Sequence, residues 1–121
     1  MVLIDANAVL RLLLSDNKAM ENEVKAMLKQ KQVLIRNEVM AEVVYVLTRV
    51  YKVERKEICL CLVDLLKVKN VRVESKDLML FAIKAFDTLN IDFVDCLLYA
   101  CHSVNGAEVF TFDKKLKKLT L

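Results

Sequence analysis

Four short apolar runs, VLI (2–4), VLIR (33–36), VRV (71–73) and VFTF (109–112), interrupt a chain whose remaining text has a helical period. Short strands that alternate with helices pair in parallel, the helices serving as crossovers. The predicted class is therefore α/β, a short central parallel sheet with helices on both faces. The crossovers read as helices over 7–15 and 17–30, then over 38–51 and 54–67. Met20, Val24, Met27 and Leu28 share a face of the second, and Ile58, Cys61, Leu62, Leu65 and Leu66 a face of the fourth. Ser75 reads as the N-cap of a helix striped with Leu78, Phe81, Ala82, Ala85, Phe86 and Leu89. Another helix covers 93–105, closed by Gly106, the only glycine, as a left-handed C-cap. KKLKK (114–118) makes a short basic helix. With no proline, the loops are short and built from Asn, Asp, Ser and Lys.

A length of 121 residues sets the expectation of one domain, 1–121, and 56% hydrophobic with 29% charged residues fits a core under a charged coat. The longest uncharged run, CLLYACHSVNGA (96–107), is too short to span a bilayer. MVLID has no basic stretch before it, so no signal peptide is expected and the expected address is the cytoplasm. A net charge of +3 permits a polyanionic partner without requiring one. Cys59 and Cys61 stand two apart in helical text and point opposite ways, so they do not form a chelating pair; with Cys96 and Cys101 they read as free thiols. His102, the only histidine, lacks the second group that histidine acid–base ribonuclease chemistry requires and reads as a packed or surface residue.

Acids carry the chemical content. In an open parallel sheet, ligands bind along the carboxyl edge of the strands. Asp5 directly follows VLI, and Asp113 directly follows VFTF. Glu42 lies in the second turn of the helix leaving the second strand. Asp95, in IDFVDCLLYAC, begins the helix that feeds the fourth. Four carboxylates from distant parts of the chain are thus expected at one edge. Their mutual repulsion calls for a positive charge among them, and a hard divalent cation prefers oxygen ligands. The chemistry implied is metal-dependent phosphodiester hydrolysis. Taken singly, Asp5 and Asp113 each fit a helix N-cap, and Asp92 with Asp95 imitates a capping box. Glu42 has no capping role, and a tertiary ion pair is its structural alternative.

The motifs also resemble a family. LIDANAVLRLLL, EVVYVL, DFVDCLLYAC and TFDKKLKKL, in this order and at this spacing, resemble the PIN-domain ribonucleases, specifically the small VapC-type toxins of toxin–antitoxin pairs. The resemblance implies a Rossmann-like α/β/α sandwich that binds Mg²⁺ or Mn²⁺ and cleaves RNA, a tRNA pool being a natural test substrate. It assigns Asp5, Glu42, Asp95 and Asp113 as the catalytic and metal-binding set, with Asn7 and Thr111 in support. Asp92 reads either as an auxiliary acid or as a helix cap. Ala6 stands where the family commonly has a hydroxyl residue, and the last strand is reduced to LTL or missing. The resemblance further implies two protein partners, a cognate antitoxin and a second copy in a homodimer.

Lys114 and Lys115, beside Asp113, suit a phosphate backbone, and Arg11 suits a substrate or partner contact. Two rivals remain. One is a catalytically silent RNA- or protein-binding module, against which four intact carboxylates count. The other is a phosphoacceptor receiver domain, which requires a second strand-terminal Asp with a facing lysine.

Overall fold

Three of the four apolar runs become strands: β1 (Val2–Leu3), β2 (Val33–Ile35) and β3 (Val71–Val73). They form one parallel sheet in the order β1-β2-β3, with Val2 opposite Val33 and Val33 opposite Val71. The computed structural model describes residues 1–121, and the chain divides into two units, Met1–Glu74 and Ser75–Leu121.

The sheet belongs to the first unit. Between β1 and β2 run α1 (Ala6–Leu14) and α2 (Lys18–Gln30); between β2 and β3 run α3 (Asn37–Arg49) and α4 (Arg55–Lys67). These are the crossovers that a parallel pair demands. Helix α1 packs on α2 and α3, and α4 packs on β3. Val9, Val33, Ile35, Met40, Val43, Ile58 and Leu62 are fully enclosed and make the core. Asn17 caps α2 by accepting the Met20 N–H at 3.1 Å. The turns do without glycine: Ser15, Lys52 and Asn70 all take positive φ.

The buried face of α2 differs from the expected one. Glu21, Val24 and Leu28 face inward, while Met20 is 44% exposed. Val24 and Leu28 of the expected stripe are buried and Met27 is half-buried, and Glu21 joins them with its carboxylate held by Lys25 Nζ at 2.6 Å and Lys18 at 3.8 Å. Pairing makes a buried acid tolerable. Lys25, then Lys18, keeps the Glu21 carboxyl below the usual carboxylate range against the opposing effect of burial.

The second unit is helical: α5 (Lys76–Thr88), α6 (Phe93–Asn105) and α7 (Lys114–Leu119). Ser75 caps α5, accepting the Leu78 N–H at 3.2 Å. Helices α5 and α6 are tightly paired. Ala82, Ala85, Cys96 and Ala100 are buried, and small side chains permit close approach. Phe81–Tyr99 and Phe86–Phe93 meet edge to face, with centroids 4.9 and 5.5 Å apart. Gly106 ends α6 at φ 72, its N–H donating to the His102 carbonyl at 3.0 Å. His102 reinforces the turn through Nδ1, 2.9 Å from the Ala107 carbonyl. A Cβ at Gly106 would meet nothing, so the whole cost of Gly106→Ala is backbone strain. Urea denaturation should show a loss of about 1 kcal/mol for Gly106→Ala and a smaller loss for Gly106→Asn.

The fourth strand is not formed. Residues 107–112 have no ladder partner, and LTL ends in a turn and coil. Phe110 and Phe112 are each 89% exposed. Strand propensity measures fit to a half-buried pleated surface, and an apolar run without a neighbouring strand has none. None of the four cysteines forms a disulfide, and Cys59 and Cys96 are buried. No helix is long and apolar enough to cross a membrane.

Candidate functional site

In the second unit, α6 and α7 begin close enough in space for their acids to interact. Asp95 lies half-buried in the first turn of α6. Burial first, then Asp113 and Asp92, pushes its carboxyl above the ordinary range. A half-buried carboxyl raised by like charges beside it marks a place where a cation would be welcome. No Lys or Arg forms an ion pair with any of the three.

Asp113 is the N-cap of α7: one carboxylate oxygen accepts the Leu116 N–H at 2.8 Å. The capping alternative is thus realised there, yet the second oxygen stays free. Asp113 follows a loop instead of a strand, since no fourth strand exists, so the sheet-edge rule does not account for its position. The same correction applies to Asp95, whose helix feeds no strand. The Thr111 hydroxyl accepts the Asp113 backbone N–H at 3.0 Å. Asp92 occupies the N-cap position of α6 but makes no capping bond, so the Asp92–Asp95 capping box is not formed. Lys115 Nζ donates to the Asn90 carbonyl at 3.1 Å, joining α7 to the loop before α6. Lys114 is exposed and bonded to nothing.

In the first unit, Asp5 stands at the carboxyl end of β1 and caps α1, accepting the Ala8 N–H at 3.0 Å through Oδ1. Oδ2 remains free, and Asn7 is exposed beside it in sequence. Glu42 is exposed on α3 without an ion pair, so its structural alternative does not hold. The cation of this edge is already engaged. Arg36, just after β2, lies 2.8 Å from Glu38 and 3.7 Å from Glu74. Glu74 was not singled out from the sequence, although it directly follows β3. Its carboxylate accepts the Asn37 N–H at 2.6 Å and so caps α3, a structural use. Arg11 is half-buried and paired with Asp16 at 2.8 Å, which ties it to its own helix end.

The acids left available in each unit, Asp5 and Glu42 in the first and Asp92, Asp95 and Asp113 in the second, are oxygen donors without an ion-paired Lys or Arg. This chemistry fits a hard divalent ion. Within neither unit alone do three His, Cys, Asp or Glu side chains stand together at metal-binding distance.

A search of characterised proteins and a search of solved structures return no match. A family model for the PIN domain matches residues 2–120, nearly the whole chain. PIN domains are generally nucleases and typically use divalent metal ions. With its parallel sheet, its crossover helices and this match, the chain belongs to the PIN domain family and its α/β/α class of fold.

Proposed function

We propose that this PIN domain is a metal-dependent endoribonuclease, acting as one 1–121 domain in the cytoplasm as the VapC-type toxin of a toxin–antitoxin pair. The observation that carries the reading is the Asp95 carboxyl, half-buried in the first turn of α6 and raised first by burial and then by Asp113 and Asp92, with no Lys or Arg paired to it. A purely structural cluster gains nothing from such repulsion. Asp5, Asp95 and Asp113 would hold Mg²⁺ or Mn²⁺, with Glu42 completing the set. When bound, the ion supplies charge neutralisation for the phosphodiester and a lowered pKa for water. As the alternative to completing the set, Glu42, exposed and without an ion pair, takes up the proton of the attacking water at its carboxylate. Capping bonds orient Asp5 and Asp113 while leaving one oxygen of each available. Thr111 holds the backbone of Asp113, and Asn7 supports Asp5. Asp92, making no capping bond, serves as the auxiliary acid. Lys114 is the unengaged cation best suited to a phosphate; Lys115 and Arg11 already hold Asn90 and Asp16. A cognate antitoxin and a second copy of the chain are the protein partners this reading carries with it.

Asparagine caps a helix as well as aspartate does, so Asp5→Asn and Asp113→Asn separate the two roles of these acids. Total RNA and a tRNA pool, incubated with Mg²⁺ or Mn²⁺, should give discrete cuts with the wild type. EDTA should abolish them, and each variant should slow them by roughly 10²-fold or more while melting within a few degrees of the wild type. Variants that cleave as the wild type does would show that these acids only cap. A wild type, freed of bound antitoxin, that cleaves nothing would leave a silent binding module.

A further inference from the structure

Residues 107–112 enter no helix or strand, yet they display two large aromatic side chains. Phe110 and Phe112 are each 89% exposed. Their rings meet edge to face, with centroids 5.4 Å apart and planes at 84°. Phenylalanine is among the residues most often buried, and a displayed pair calls for an occupant. The pair is not adrift. Thr111, between the two rings, accepts the Asp113 N–H, and Asp113 in turn accepts the Leu116 N–H of α7.

The surroundings identify that occupant. Phe112 directly precedes Asp113, and Lys114, Lys115, Lys117 and Lys118 follow within α7. All four lysines are exposed, and Lys114, Lys117 and Lys118 form no ion pair. The core of a protein interface is depleted in charge, whereas single-stranded nucleic acid is bound by aromatic faces set among cations. Resting on the endoribonuclease reading, we propose that Phe110 and Phe112 form a base-stacking platform for single-stranded RNA. The platform holds unpaired bases beside Asp113 while the lysines of α7 meet the backbone. Every base has a π-face, so the platform tolerates sequence and selects for unpaired over duplex RNA.

The test measures binding by fluorescence anisotropy in an Asp95→Asn background, where RNA stays intact. One probe is a labelled 12-nucleotide oligoadenylate and the other an abasic ribose-phosphate 12-mer of equal charge. Leucine at either position keeps the apolar bulk and removes the π-face, and neither ring contributes to the core. Phe110→Leu and Phe112→Leu should each weaken oligoadenylate binding roughly 5- to 150-fold and leave the abasic probe unchanged. The chain has no tryptophan, so Phe112→Trp supplies a single reporter. It should bind at least as tightly, with indole fluorescence quenched by oligoadenylate and not by the abasic probe.

Unchanged oligoadenylate affinity in the leucine variants overturns the platform, as does equal weakening on both probes. Leucine variants that lose self-association while keeping RNA affinity assign the pair to a contact between copies and also overturn it. Wild-type cleavage is read separately. A wild type that cuts RNA beside leucine variants that bind normally defeats the platform alone. Stacking without cutting upholds the platform and defeats the nuclease.

Discussion

Replacing Asp95 by Asn should slow RNA cleavage by roughly 10³-fold and at the same time raise the melting temperature. The loss follows from removing a charged oxygen donor from the acid cluster while keeping the side chain's shape. The gain follows from linkage. Burial, then Asp113 and Asp92, holds the Asp95 carboxyl above its ordinary range, so the folded protein binds this proton more tightly than the unfolded chain does. The associated stability is fully present below the ordinary carboxylate pKa and is lost as pH rises through the folded value. At neutral pH the ionised Asp95 therefore costs stability, and Asn removes that cost. Because the group is partly open to solvent, the expected gain is small, about 0.5 kcal/mol or less, a melting shift of about 1–3 °C. Melting curves at pH 7 and pH 4 check the sign: the gap between variant and wild type should narrow at pH 4. A variant that loses both cleavage and stability would mean that Asp95 serves the fold.

Leu62→Ala should lower the unfolding free energy by about 3–4 kcal/mol in urea denaturation. Leu62 lies in the middle of α4 with no exposed surface, in the core that packs against β3. Alanine leaves a cavity that close-packed neighbours fill only in part. A domain of this size has about 5–15 kcal/mol to lose, so the variant is brought near the threshold of folding. Leu60, on the opposite side of the same helix, is 63% exposed, and Leu60→Ala should stay within about 0.5 kcal/mol. An equal cost at Leu60 would show that this face is covered by a second copy in solution.

Much of this architecture is written in short stretches of the chain. Strands β1 to β3, the Ser75 cap and the Gly106 turn lie where the residues place them. The cap and the turn depend on interactions within a turn of helix: a hydroxyl reaching an N–H three residues on, or a glycine free to take φ 72. The apolar stripe of α5 is legible for the same reason, since helical period is a local property. Asp5 is legible as an acid near the strand end because it lies two residues beyond Leu3, the last residue of β1. Features that needed distant partners were not legible. VFTF has the composition of a strand, but a strand exists only when another part of the chain offers its N–H and C=O groups. Glu21 is buried on the inner face of α2 although its ion-pair partners, Lys18 and Lys25, are local, because only packing of the helix decides which face is covered. Asp92, readable as an auxiliary acid or a cap, stands at the N-cap position without a capping bond, whereas Asp113 caps α7 and also acts on Asp95. Which residues are helical and where the helices stop can be read along the chain, because hydrogen bonds three or four residues apart set them. Which helix faces are covered, which acids lie beside Asp95 and which aromatic rings face solvent follow only from folding, because those groups come from parts of the chain that meet in three dimensions.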